Sequence, residues 1–72
     1  MKYSEKGSES HRSFEISYII TLQENKKYTA YGGYAGPSLS LCNTYTSPGY
    51  FDTIREAKEQ FLREMKAIID NL

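Results

Sequence analysis

The side chains best suited to contact a partner lie in one uncharged block. Residues 28–51 contain no Asp, Glu, Lys, Arg or His, although they hold five of the seven tyrosines, four of the five glycines and the single cysteine. Tyrosine offers a large rigid ring with a hydroxyl for hydrogen bonding, and small residues beside it adapt to a contact surface. This block predicts a surface that binds another protein, because no charged group there has to lose its hydration.

Catalytic chemistry has little support in the sequence. Cys42 would act as a nucleophile only with a base beside it, and the single histidine, His11, falls in a segment predicted to be a tail. One Cys and one His do not make the ligand set of a usual zinc site. The glycines at 33 and 36 are followed by Pro37, where a phosphate loop would have a lysine and a helix start. We therefore expect no enzyme activity, no metal and no cofactor.

Periodicity predicts the strands that position the tyrosines. Phe14–Leu22 alternates apolar and polar residues, which is typical of a half-buried strand. A second strand is expected at 28–34, where the paired glycines at 32 and 33 suggest a bulge or a close approach of the backbone and leave open which way the residues after Tyr31 face. A third strand is expected at 38–46, with Leu39 and Leu41 facing inward.

The C-terminal segment carries the clearest helix signal. Thr53 followed three residues later by Glu56 forms a capping box at a helix start. Apolar residues then recur every three or four positions, which predicts a helix over roughly 53–70 with one apolar stripe. The residues of this stripe are Ile54, Ala57, Phe61, Met65, Ile68 and Leu72.

Length and charge limit the organisation of the chain to one small domain. The chain has 72 residues, nine basic and nine acidic, and no apolar run of about 18 residues that would span a membrane. Residues 1–13 are polar without a period, which predicts a flexible tail, and their lack of an apolar stretch predicts a cytoplasmic protein. Residues 14–72 are expected to form an α+β domain, a three-stranded antiparallel meander packed on one C-terminal helix.

One face of that sheet would have no element to cover it. Tyrosines on or beside this face would anchor a partner, since large aromatic residues dominate such interfaces. The predicted partner-binding residues are Ile19, Tyr31, Tyr34, Thr44 and Tyr50. In the alternative interpretation, several tyrosines fill the core of a domain without tryptophan, and the others are ordinary strand residues.

The predicted third strand would also lie at a sheet edge. Residues 39–46 contain no Lys, Glu or Pro, which are the residues that usually prevent edge strands from pairing with other strands. We expect this edge to be covered by a target or by a second copy of the chain, as a homodimer. The alternative is that a short strand between Pro37 and Pro48 needs no cover.

The stretch Gly49–Leu62 resembles the junction into the last helix of the arm-binding domains of tyrosine recombinases. Those domains are three-stranded sheets backed by a helix, and they read DNA with the open sheet face. In this sequence the nucleic-acid contacts would come from Lys26, Lys27 and Tyr31. The chain departs from the family on the open sheet face. The family would have Arg and Lys there to contact phosphates and bases, whereas this sequence mainly has hydroxyl groups.

These observations together predict a small non-enzymatic module that binds another protein, as an inhibitor or adaptor does. In size and style the chain is similar to the small inhibitors and adaptors of phages and mobile elements, which suggests a protein of that type. A nucleic-acid-binding domain that uses the open sheet face is the alternative. Stable duplex binding usually takes about 6–10 phosphate contacts, more than the predicted face supplies.

Overall fold

The described residues form one antiparallel sheet with a C-terminal helix packed on it. The computed structural model describes residues 4–37 and 42–72. The strands are β1 (Ser4–His11), β2 (Phe14–Leu22), β3 (Tyr28–Ala35) and β4 (Cys42–Thr46), and the helix α1 is Ile54–Asp70. The strands follow one another in the order β1-β2-β3-β4. The α+β class and the C-terminal helix are confirmed, whereas the expected number of strands is wrong, because the sheet has four.

The additional strand lies in the segment predicted to be a flexible tail. β1 pairs with β2 from Ser4 to His11, and apart from Gly7 all its side chains are polar. Two polar contacts join its inner side to α1: the carboxylate of Glu9 forms an ion pair with Lys66 at 2.5 Å, and the His11 ring forms a hydrogen bond with Asp70 at 2.9 Å. The backbone ladder and these polar contacts, rather than apolar burial, therefore hold β1 in place.

The register of β2 and β3 runs without a bulge through the paired glycines. Ser17 lies opposite Gly33 and Tyr18 lies opposite Gly32. Side chains therefore keep alternating between the two faces as far as Tyr34. Of the two features suggested by the sequence, the bulge is absent from this part of the described chain, whereas the close backbone approach is present: a Cβ atom at Gly32 would lie 2.0 Å from the backbone oxygen of Ser17. β2 has the bounds that its alternation predicts.

The core lies between α1 and one face of the sheet, here called the inner face. The hydroxyl of Thr53 accepts a hydrogen bond from the Glu56 N–H at 3.1 Å, which confirms the predicted N-cap. Leu72, predicted in the apolar stripe, lies beyond the helix end and is exposed. The buried core residues are Ile16, Tyr18, Ile20, Ala30 and Tyr34 from the sheet and Ala57, Phe61, Leu62, Met65 and Ile69 from the helix.

The described part of the predicted third strand is β4. It pairs with β3 from Cys42 to Thr46, while Leu39, Ser40 and Leu41 lie outside the described residues. The Tyr45 ring packs against Phe61 with 6.1 Å between ring centroids. β4 is thus a short edge strand whose inner side contacts the core.

Candidate partner-binding face

The candidate site is the sheet face opposite α1, here called the outer face. Side chains alternate along each strand, so the residues between the buried positions point to this side. The register aligns them in rows that cross the sheet from β1 to β4. These rows are Lys6, Ile19, Tyr31 and Thr46; Ser8, Ser17, Gly33 and Thr44; and Ser10, Glu15, Ala35 and Cys42.

The most apolar part of the outer face is the pair formed by Ile19 and Tyr31. These residues lie directly opposite each other on β2 and β3, and an aromatic ring beside a β-branched chain is a favourable cross-strand pair. Tyr31 remains 48 % exposed, and Ile19 is half-buried. The pair therefore leaves a contiguous aromatic and aliphatic surface in contact with solvent.

A shallow groove of about 630 Å³ lies beside this pair. Its lining includes Ser17, Gly33 and Thr44 from one row. A Cβ atom at Gly33 would lie 2.3 Å from the backbone oxygen of Asn43, closer than real Cβ contacts. The close approach of β3 and β4 therefore requires glycine at position 33. Because glycine has no side chain, the sheet surface is depressed in the middle of this row.

The outer face carries little charge. In the three rows of described residues, the charged side chains are Lys6 and Glu15, which have opposite signs. Lys26 and Lys27, the residues of the nucleic-acid alternative, lie in the turn between β2 and β3 rather than on the face. Lys27 also forms an ion pair with Asp52. The described outer face therefore presents no set of cations that would follow a phosphate backbone.

The structure divides the predicted contact residues into three groups. Ile19, Tyr31 and Thr44 lie on the outer face, in two adjacent rows. Tyr50 is 61 % exposed and borders a separate depression beside the β2–β3 turn. Tyr34 must be removed from the set, because the regular register turns it to the inner face, where it is 9 % exposed.

The packing of Tyr34 gives the physical reason for this correction. Its ring meets that of Phe14 edge to face, with 5.7 Å between centroids and 69° between planes. Without a bulge, Tyr34 keeps the same facing as Ala30 on β3. The alternative interpretation of the sequence, in which tyrosines fill the core, therefore holds for Tyr34 and for Tyr18.

The cysteine and the histidine that could act together in catalysis are far apart. Cys42 belongs to β4 and His11 to β1, the two edges of the sheet, which are about 14 Å apart at usual strand spacing. In residues 4–37 and 42–72, no three His, Cys, Asp or Glu side chains are grouped to hold a metal ion. No helix in the same residues has the length and apolar character to cross a membrane.

A polar network on the inner side fixes the end of β4. The hydroxyl of Ser47, which is 2 % exposed, donates to a carboxylate oxygen of Glu64 at 2.5 Å. Gln60 donates to the other carboxylate oxygen at 2.8 Å. No local pattern predicts this network, because Ser47 and Glu64 are 17 residues apart and only the fold brings them together. The network anchors the strand that carries Thr44.

The pKa values of this network reflect both burial and hydrogen bonding. Burial of the Glu64 carboxyl favours its neutral form, but hydrogen bonds from Ser47, Gln60 and Tyr45 outweigh this effect and lower the pKa below its ordinary value. Burial raises the pKa of Tyr45, and the hydrogen bond to Glu64 and the charge of that carboxylate raise it further. At neutral pH the network therefore contains an ionised Glu64 and a neutral Tyr45.

Comparison with models of protein families, with curated proteins and with solved structures finds no match for this chain. The stretch that resembles the recombinase arm-binding domains, residues 49–62, covers the turn after β4, the N-cap and the first half of α1. It contributes none of the outer-face rows. The geometry of the outer face is therefore the basis for a functional interpretation.

Proposed function

We propose that this chain is a small non-enzymatic module that binds another protein through its outer face. The observation that carries the proposal is the exposed Ile19–Tyr31 pair beside a groove, on a face with little charge. A partner side chain in the groove would pass over Gly33 and lie against Tyr31. Covering this surface requires little removal of water from ions, so the desolvation that opposes binding is small.

Tyr31 is the anchor expected to dominate this interface. Truncation of a central aromatic residue in an interface commonly weakens binding by about 2 kcal/mol or more, roughly thirtyfold in Kd. Ile19 adds apolar area beside the ring, and Thr44 borders the groove from the next row. Tyr50 contributes only if the partner also reaches the turn between β2 and β3.

A module that acts by binding alone works stoichiometrically. We therefore propose an inhibitor or adaptor role, in which the outer face occupies a surface of the partner. The chain has a single cysteine and so forms no internal disulfide, which suits a reducing compartment such as the cytoplasm.

The test is affinity capture from a host lysate with mass spectrometry, and it compares the proteins captured by the wild-type chain with those captured by outer-face variants. Tyr31→Ala and Ile19→Lys should retain the circular dichroism spectrum and lose the captured protein. The matched control is Arg63→Ala, which alters an exposed residue of α1 and should retain the captured protein. If Tyr31→Ala and Ile19→Lys both capture the same proteins as the wild type, the outer face is not the contact surface.

Nucleic-acid binding is a separate outcome of the same capture experiment. DNA or RNA would be recovered, its affinity would fall steeply with salt, and the double variant Lys26→Ala, Lys27→Ala would lose it. This result would replace the protein-binding proposal with the alternative.

A further inference from the structure

The two edge strands of the sheet differ in charge. β1 carries Glu5, Lys6 and Glu9, and charged side chains, lysine above all, prevent an edge strand from pairing with another strand. β4 contains no charged residue. Of the two edges, β4 is therefore the one suited to accept a further strand.

The ladder shows which backbone groups of β4 point away from β3. Ser47 lies opposite Ala30, continuing the register of β4, and its N–H donates to the Ala30 carbonyl at 3.0 Å. Hydrogen-bonded and non-hydrogen-bonded pairs alternate in an antiparallel ladder. Thr44 and Thr46 therefore occupy non-hydrogen-bonded positions toward β3, and their N–H and C=O groups point to the open edge.

One of these edge groups already has a hydrogen-bond partner in the same copy of the chain. The N–H of Thr44 donates to Oδ1 of Asn43 at 2.8 Å. An incoming strand would replace this contact with a backbone hydrogen bond of the same kind. The Asn43 side chain thus satisfies the Thr44 N–H in a single copy and can be displaced when another strand pairs with β4.

We propose that β4 pairs antiparallel with β4 of a second copy of this chain, so that the two sheets join across a two-fold axis. In the register centred on Thr44, the two Thr44 residues exchange N–H···O bonds, and each Thr46 lies opposite residue 42 of the other copy. Thr44 then faces itself across the axis, and a threonine pair is favourable there. The formal charges of each chain also sum to zero, so the copies do not repel each other through net charge.

The position of α1 leaves room for this dimer. The helix packs mainly over β2 and β3. With strands about 4.8 Å apart, the two helices would lie about 19 Å from each other, well beyond the 8–10 Å of packed helices. The pairing uses backbone groups at the edge and leaves the outer face uncovered, so it stands independently of the proposed binding function.

The dimer should be weak, because a strand of five residues forms a small interface. Sedimentation equilibrium of the full chain at concentrations up to about 1 mM is the test. We expect a reversible monomer–dimer equilibrium in this range. A wild-type chain that remains monomeric throughout would overturn the proposal.

Two proline variants locate the contact. Thr44→Pro removes the central N–H without removing a bond to β3, because proline is tolerated where the N–H faces away from the sheet, and it should abolish the dimer. Ser8→Pro is the matched control: Ser8 lies in the same row on β1, and its N–H also points away from the sheet. The Ser8→Pro variant should still form the dimer. Association that survives Thr44→Pro, or that only Ser8→Pro abolishes, would refute the proposal.

Charge variants test the two-fold register without proline. Thr44→Lys alone or Thr44→Glu alone places like charges opposite each other and should raise the Kd of the dimer about fivefold. An equimolar mixture of the two places opposite charges there and should associate at least as tightly as the wild type. A mixture that associates no better than either variant alone would refute the register centred on Thr44.

Discussion

Removal of the Ser47 hydroxyl should destabilise the protein by about 1.5–2 kcal/mol at neutral pH. A hydrogen bond to a charged group contributes about 1.5–3 kcal/mol, and Ser47 makes such a bond to Glu64 while being 2 % exposed. Glu64 itself is only half-buried, so water replaces part of the lost bond. The bond from Gln60 also remains in Ser47→Ala. These two facts set the expected loss at the lower end of the range.

The destabilisation should depend on pH in a defined direction. Hydrogen bonds lower the pKa of Glu64 in the folded protein. A carboxyl with a depressed folded pKa contributes stability above its unfolded pKa, and this contribution is lost as pH falls through the folded pKa. Ser47→Ala returns the pKa of Glu64 toward its ordinary value. The difference between wild type and variant should therefore be full at neutral pH and shrink below about pH 4.

Urea unfolding followed by circular dichroism measures both quantities. The control is Ser10→Ala, which removes an exposed hydroxyl on β1 and should change the free energy of unfolding by less than about 0.5 kcal/mol. An equal loss in Ser47→Ala at neutral and acid pH would show that Ser47 acts by packing rather than through the ionised carboxyl of Glu64. No loss at either pH would refute the contribution of the hydrogen bond altogether.

Three further comparisons test the fold, two by thermal or urea unfolding and one by amide exchange. Tyr34→Ala should destabilise by about 3 kcal/mol because it empties a core position, whereas Tyr31→Ala should stay within about 1 kcal/mol; equal losses would contradict the facing assigned to the two rings. Gly7→Val should loosen β1, measured as faster amide exchange, because a Cβ there would lie 2.2 Å from the Tyr18 hydroxyl oxygen; unchanged protection would contradict this contact. Thr53→Ala should lower stability by about 1 kcal/mol through loss of the N-cap, and an unchanged urea midpoint would argue against the cap.

The elements with local signals were predictable from the sequence. The alternation of Phe14–Leu22 depends only on neighbouring residues, and β2 has the same bounds. The helix was predictable for the same reason, since Thr53 caps the N–H of Glu56 within one turn. Both signals reflect strong local preferences that tertiary contacts reinforce.

The features that depend on distant contacts were not predictable in this way. β1 has no apolar alternation, and its contacts to α1 join residues such as Glu9 and Lys66 that lie far apart in sequence. The facing of Tyr34 depends on whether the glycines at 32 and 33 form a bulge. Pairing with β2 on one side and β4 on the other decides that question, and neither is visible in the segment itself.

The structure gives the absence of charge in residues 28–51 two different causes. On the inner face, Ala30 and Tyr34 belong to the core, where an unpaired charge would be costly. This cause does not extend to the outer face, where β1 and β2 carry Lys6 and Glu15 but β3 and the described β4 carry no charge. Folding therefore does not explain why the β3–β4 half of the outer face lacks charge. This half holds most of the groove lining and ends at the β4 edge. Because edge pairing uses backbone groups while the face uses side chains, one uncharged region can serve both the proposed partner and the proposed dimer.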